Sequence, residues 1–321
     1  MRRAVAIIVL VTAGCASSGH SSTGGARQVP PQTRPTSSAS TSASTSIPER
    51  RASASSGTLT RVRRDQPGWL PVSFGRTGIA VDAQRHVLPD GGQVTVVRFR
   101  AGETKFALHV GSEDPPAAGV AISPNAGPAV SSIEAPRLLA AFNGGFKVAS
   151  GSGGFEIDGR NLAPLQTGSA SFVIDTNGSG HMGVWGQNLP APGERVASVR
   201  QNLIPLVAGS QLSPRISDIA FWGARYKGED MVARSALGED ANGNILYAGS
   251  MAALPGDVGT ALIDAGAVNA MELDINPEWV QLALAAHPGG QLTASIAGQN
   301  RPANQYLVGW TRDFFTVLAG R

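Results

Sequence analysis

The sequence predicts an α+β fold: a β-rich single domain of short strands and hairpins with a few helices, two of them near the C-terminus. Three observations lead there. Glycine and proline are abundant, 40 and 21 of 321 residues, which favours many turns and short strands. Apolar residues make up 42% of the chain, enough for a sizeable core. Helix signals occur only late, at 256–265 and 276–287.

The chain opens with a leader. Met1-Arg2-Arg3 is a short positive region, and residues 4–11 are apolar but too few to span a bilayer. Thr12-Ala13-Gly14-Cys15 resembles the lipobox of bacterial lipoproteins. That resemblance implies a signal peptide over 1–14, a lipid on Cys15, and a protein anchored to the outer face of the cytoplasmic membrane. Ordinary secretion, with incidental use of Cys15, is the alternative. Residues 16–58 contain 13 Ser and 6 Thr and no aromatic residue, so they cannot bury enough apolar area to offset their ordering entropy. Residues 15–58 therefore read as a lipidated cysteine followed by a disordered tether. As a flexible chain it spans roughly 35–40 Å. The domain is expected over 59–321.

Charge and cysteine narrow the function. From Leu59 onward there are 20 Lys+Arg and 22 Asp+Glu, so the basic excess of the whole chain sits in the leader and tether. The folded part has no basic balance of the kind nucleic acid requires. Cys15 is the single cysteine, which rules out a disulfide or a thiolate metal site within the domain. The histidines are scattered without metal-ligand spacing.

Within the domain, residues 93–100 and 105–110, around the turn Ala101-Gly102-Glu103, read as a hairpin. Residues 138–142 are a buried strand running into Asn143-Gly144-Gly145. Hairpins are expected over 171–185 and 231–248, with short strands at 196–199 and 203–207. Residues 256–265 have helical spacing, with Gly266 as C-cap. Asn276-Pro277-Glu278 starts a helix to about residue 287, through an N-cap, a proline at the first position and an acid in the first turn. Strands at 291–297, 306–310 and 314–318 complete the domain.

Two stretches carry candidate chemistry. Asn143-Gly144-Gly145 is at least a tight turn. Its glycines also let a ligand approach the backbone, and successive N–H groups there form an anion nest. Residues 268–275 read as a strand, and alternation places Val268, Ala270, Glu272 and Asp274 on one face. Glu272 and Asp274 then have Cα atoms about 6.5–7 Å apart. Such a pair suits general acid and base work. It equally suits a hard cation such as calcium, or the polar face of a half-buried strand.

NGGF at 143–146, RSALG at 234–238 and ELD at 272–274 occur in the order used by the phosphodiester glycosidase family, and residues 90–320 resemble that family. The resemblance implies hydrolysis of a sugar-1-phosphodiester, plausibly in cell-envelope glycans. Asp274 would take an acid/base or metal-holding role with Glu272 assisting. Arg234 would hold the phosphate, and Asn143, Gly144 and Gly145 would orient the ligand. The family's third motif is Leu-Asp-Gly-Gly, whereas here it is Leu273-Asp274-Ile275-Asn276. The alternative is a non-catalytic domain of the same fold that binds envelope glycan or protein.

Overall fold

The computed structural model describes residues 68–223 and 228–320. The expected leader, the lipidated Cys15 and the tether to residue 58 lie outside the described residues. The strands are, in order, β1 (Leu70–Phe74), β2 (Ile79–Val87), β3 (Gln93–Phe99), β4 (Thr104–His109), β5 (Leu138–Asn143) and β6 (Phe155–Ile157). Next come β7 (Arg160–Ala163), β8 (Ala170–Asp175), β9 (Gly180–Val184), β10 (Val196–Gln201), β11 (Val207–Ala208) and β12 (Gln211–Leu212). β13 (Val232–Asp240) and β14 (Ile245–Ala253) lead into α1 (Pro255–Asp264) and β15 (Ala267–Glu272). β16 (Leu282–Ala285), β17 (Leu292–Ala294), α2 (Gln305–Val308) and β18 (Phe314–Ala319) follow.

These strands form three sheets, in the orders β1-β2-β3-β14-β13-β15-β11-β12, β7-β6-β10-β8-β9 and β17-β16-β5-β18-β4. Every pairing between the named strands is antiparallel. This corrects the expected α+β class: the described residues are mainly β, and of the two α-helices only α1 exceeds one turn.

Alternation decides how the large sheet is covered. Val97, Phe99, Ile245, Tyr247, Leu237 and Met271 face a core shared with the other two sheets. Val94, Val96, Leu246, Ala248 and Ala236 face the other way, onto Val258, Ala261 and Leu262 of α1. Gly266 ends that helix at φ 103° and donates to Ile263 O (2.9 Å), a backbone conformation glycine reaches without Cβ strain. Phe142 is the hub of the shared core, its ring 5.8 Å from Phe99, 5.0 Å from Tyr247 and 5.3 Å from Phe315. Ring pairs at such spacings add ~0.5–1.5 kcal/mol each beyond their buried area.

Three other expectations are overturned. Residues 93–110 do not form a hairpin, because both edges of β3 are taken by β2 and β14. The chain crosses at Ala101-Gly102-Glu103 into another sheet, where β4 pairs with β18. The expected helix at 276–287 is a single turn followed by β16. Asn276 Oδ1 still caps Glu278 N (2.9 Å), but all four residues of β16 are buried and captured by β5 and β17. Burial on both faces overrides the local helix signal. The expected strand at 306–310 is instead the short helix α2, with Tyr306 under the Trp310 and Phe314 rings.

Candidate active site

Asn143, Ser235 and Asp274 meet where β5, β13 and β15 come together. All six residues of β5 are buried, so Asn143 must find its partners inside. Its Nδ2 donates to Ser235 Oγ (2.8 Å) and Gly144 O (2.9 Å). Its Oδ1 accepts from Tyr247 Oη (3.0 Å) and Gln281 N (3.2 Å). Both donors and both acceptor positions of the amide are thus used within the protein. Ser235 Oγ also accepts from Asp274 N (3.1 Å) and donates to Asp274 O (3.2 Å). One hydroxyl therefore joins the end of β5 to the segment after β15.

Asp274 is 3% exposed. Its Oδ1 accepts from the backbone N–H groups of Ile275 (2.7 Å) and Asn276 (2.9 Å), and Oδ2 lies 3.7 Å from Arg312 Nη2. Burial pushes the carboxyl up to about 7, against the Arg312 charge and the two N–H groups, with Asp313 adding to the rise. Glu272 is fully buried two residues earlier. Its Oε1 accepts from Arg234 Nη1 (2.6 Å), while Oε2 has no partner. Burial pushes Glu272 up to about 7 as well, in spite of Arg234. Arg234 Nε and Nη1 also donate to Ala253 O (3.0 Å) and Trp222 O (2.8 Å). Its guanidinium is pinned beside Glu272.

The double glycine serves the protein's own side chains. A Cβ on Gly144 would stand 1.9 Å from Asp313 Oδ2, and one on Gly145 would stand 3.0 Å from Arg200 Cζ. Asp313 O accepts from Gly144 N (3.0 Å), so that N–H is occupied. Arg200 Nε donates to Asp313 Oδ2 (2.7 Å), its Nη1 to Gln201 O (2.6 Å), and its Nη2 to Phe146 O. Arg312 Nη2 donates to Gly145 O (2.9 Å) and Nε to Asp114 Oδ2 (3.2 Å). Its guanidinium carbon lies 4.2 Å from the centroid of the Trp279 ring.

Sequence reasoning did not single out Arg200, Ser235, Arg312 or Asp313. Arg312-Asp313 had a readable signal, an ionic dipeptide set directly before the apolar strand β18. Ser235 stood inside the RSALG motif, of which Arg234 alone was given a role, and Arg200 had no signal, since its partners are remote in the chain.

On the outer side, Ile275 and Phe146 close on Gly223: a Cβ there would meet Ile275 Cδ1 at 2.4 Å and Phe146 Cζ at 3.3 Å. Ile275 stands where the resemblance expects glycine. The donor set does not suit calcium. Glu272 Oε1 holds an arginine and Asp274 Oδ1 holds two N–H groups, while a hard cation takes six to eight oxygens. Among the described residues no three His, Cys, Asp or Glu side chains converge as metal ligands.

No known family profile matches the chain, and no curated protein matches it by sequence. Solved structures resemble it distantly. The catalytic domain of zebrafish N-acetylglucosamine-1-phosphodiester alpha-N-acetylglucosaminidase, auto-inhibited by pro-peptide, aligns with a TM-score of 0.48 at 15% identity, covering 81% of this chain and 92% of that one. A hypothetical protein from Synechocystis aligns with a TM-score of 0.40 at 16% identity, covering 80% of this chain and 65% of that one. A putative exported protein from Burkholderia pseudomallei aligns with a TM-score of 0.31 at 15% identity, covering 76% and 75%. The likeness concerns the course of the chain alone.

Proposed function

We propose that this protein hydrolyses a sugar-1-phosphodiester, with Asp274 as the proton-transferring group. The observation that carries this reading is a carboxyl buried beside an arginine, pushed by burial up to about 7, with one oxygen fixed by two N–H groups. Such a group exchanges a proton at Oδ2 near neutral pH. The NGGF, RSALG and ELD motifs supply the substrate class.

In this reading water attacks the anomeric carbon of the sugar, and the bond from that carbon to the phosphate oxygen breaks. The departing phosphate monoester is a stable anion and needs little protonation. Asp274 Oδ2 therefore serves as base, taking the proton from water. Glu272 assists from behind, held by Arg234. Asn143, whose amide is fully bonded, positions the Ser235–Asp274 junction. We further infer that Cys15 carries the lipid and that the substrate is a glycan of the cell envelope, reached from the outer face of the cytoplasmic membrane.

A base titrating near 7 gives kcat/KM that falls about tenfold per pH unit below ~7 and levels off above. The purified full-length chain, incubated with a sugar-1-phosphodiester, should release free sugar with that profile. Asp274→Asn should release none. A profile flat from pH 5 to 8, or sugar released equally by both proteins, overturns the assignment.

A second reading, retention of an envelope glycan without turnover, is favoured by one observation: Ile275 packs against Gly223 and Phe146 beside Asp274. A sugar phosphodiester that stays bound and intact would support it.

A further inference from the structure

We propose that Arg312, rather than Arg234, receives the ligand's phosphate, in a subsite completed by Lys147 and covered by Trp279. The assignment rests on the phosphodiester reading above and names the group that recognises the anion.

The two arginines differ in what they have left to offer. Arg234 gives Nη1 to Glu272 Oε1 at 2.6 Å, and its Nε and Nη1 also bond two backbone carbonyls. Its position behind Glu272 suits it to hold that carboxyl. Arg312 has Nε on Asp114 and Nη2 on Gly145 O, but Nη1 is buried with no partner among the described residues. A buried donor left unpaired is unfavourable, and a bound oxygen would recover that loss. The fixed ends orient the fork: Nε and Nη2 anchor the guanidinium, and Nη1 is the donor that remains.

Placement agrees with the chemistry. Arg312 Nη2 stands 3.7 Å from Asp274 Oδ2, so an oxygen accepted by Nη1 sits beside the carboxylate that activates water. The two charged groups facing Arg312 are Asp114 and Asp274. Asp313, next in the chain, is held by Arg200. Lys147 supplies a second cation, its Nζ 5.2 Å from the centroid of the same Trp279 ring that Arg312 stacks on. Its side chain is exposed while Arg312 is buried. The cations thus run from surface to interior along one indole, a path that draws an anion inward. A phosphodiester, with two oxygens sharing one negative charge, fits a single free guanidinium donor and an outer ammonium. Nη1 is closed to solvent, and the half-buried Trp279 lies over its guanidinium, so entry of the anion displaces the indole.

The test is calorimetric titration of the full-length protein with inorganic phosphate and with dimethyl phosphate, after thermal melts have established folding. Saturable binding is expected for the wild type. Arg312→Lys should weaken it about tenfold or more and Lys147→Ala several-fold. The exposed control Arg215→Ala should bind like the parent. No binding by the wild type overturns the proposal, as does binding lost in Arg234→Lys but kept in Arg312→Lys. If Arg312→Lys fails to fold, Lys147→Ala decides: parental affinity there overturns the subsite. Binding that follows Arg312 and Lys147 in a protein that cleaves no diester leaves the subsite standing and removes the catalytic reading. Cleavage with binding indifferent to both residues removes the subsite alone.

Discussion

Asp313 occupies the space that a side chain at Gly144 would need, its Oδ2 lying 1.9 Å from where that Cβ would stand. Asp313 is itself fixed by Arg200 at 2.7 Å, both side chains being fully buried. Gly144→Ala must therefore push Asp313 off a buried ion pair, which costs about 3–5 kcal/mol when broken. The urea midpoint should drop accordingly. A variant as stable as the parent would mean that Asp313 moves aside freely.

Asp274 links stability to pH. Its folded value, about 7, stands above the ordinary 3.8, so between these values the folded chain binds more protons than the unfolded one. Stability should then fall as pH rises from ~4 to ~7 and stay level above that. Asp274→Asn removes the buried charge and keeps an oxygen for the Ile275 and Asn276 N–H groups. At pH 8 it should be more stable than the parent by on the order of 1–4 kcal/mol, with the gap closing near pH 4. Chemical unfolding at several pH values measures this, and a constant gap would count against it.

Arg234 and Glu272 should behave as a unit. Arg234→Met strands a carboxylate in the interior and should cost about 3–5 kcal/mol at pH 8. Near pH 5 the loss should be smaller, because Glu272 then carries a proton. Arg234→Met/Glu272→Met should recover most of it. Equal losses at both pH values in the single variant would show that Arg234 serves some other group.

Ile275 lies close to Gly223, next to Asp274. Ile275→Gly keeps the N–H that binds Asp274 Oδ1 and removes the side chain that packs on Gly223 and Phe146. We expect kcat/KM for a sugar-1-phosphodiester to rise about tenfold, the size of one hydrophobic contact of ~1.4 kcal/mol. An unchanged rate would place the limit elsewhere.

What the sequence revealed was local. The hairpins β8–β9 and β13–β14 follow from turn residues flanked by alternating strands, and both form. Helix α1 follows from its spacing and from Gly266. The turn at residues 101–103 looked the same but leads between sheets, because β3 already has two neighbours. Asn276-Pro277-Glu278 does begin a helical turn, yet Leu282 onward gains more by pairing with β5. At the site, Asn143 and Asp274 stood out in their motifs, whereas the bonds by which Ser235, inside RSALG, joins them did not. Arg200, Arg312 and Asp313 acquire their meaning only from partners brought in by other strands.

β18 lies in the middle of its sheet, between β4 and β5, and begins directly after Arg312-Asp313. Until residues 312–319 have left the ribosome, β4 and β5 each keep an open edge, and the loop at Gly144 lacks its ionic support. Assembly of that sheet and of the Gly144–Asp313 cluster is thus one event, and the nascent chain must be kept from pairing with its neighbours until then.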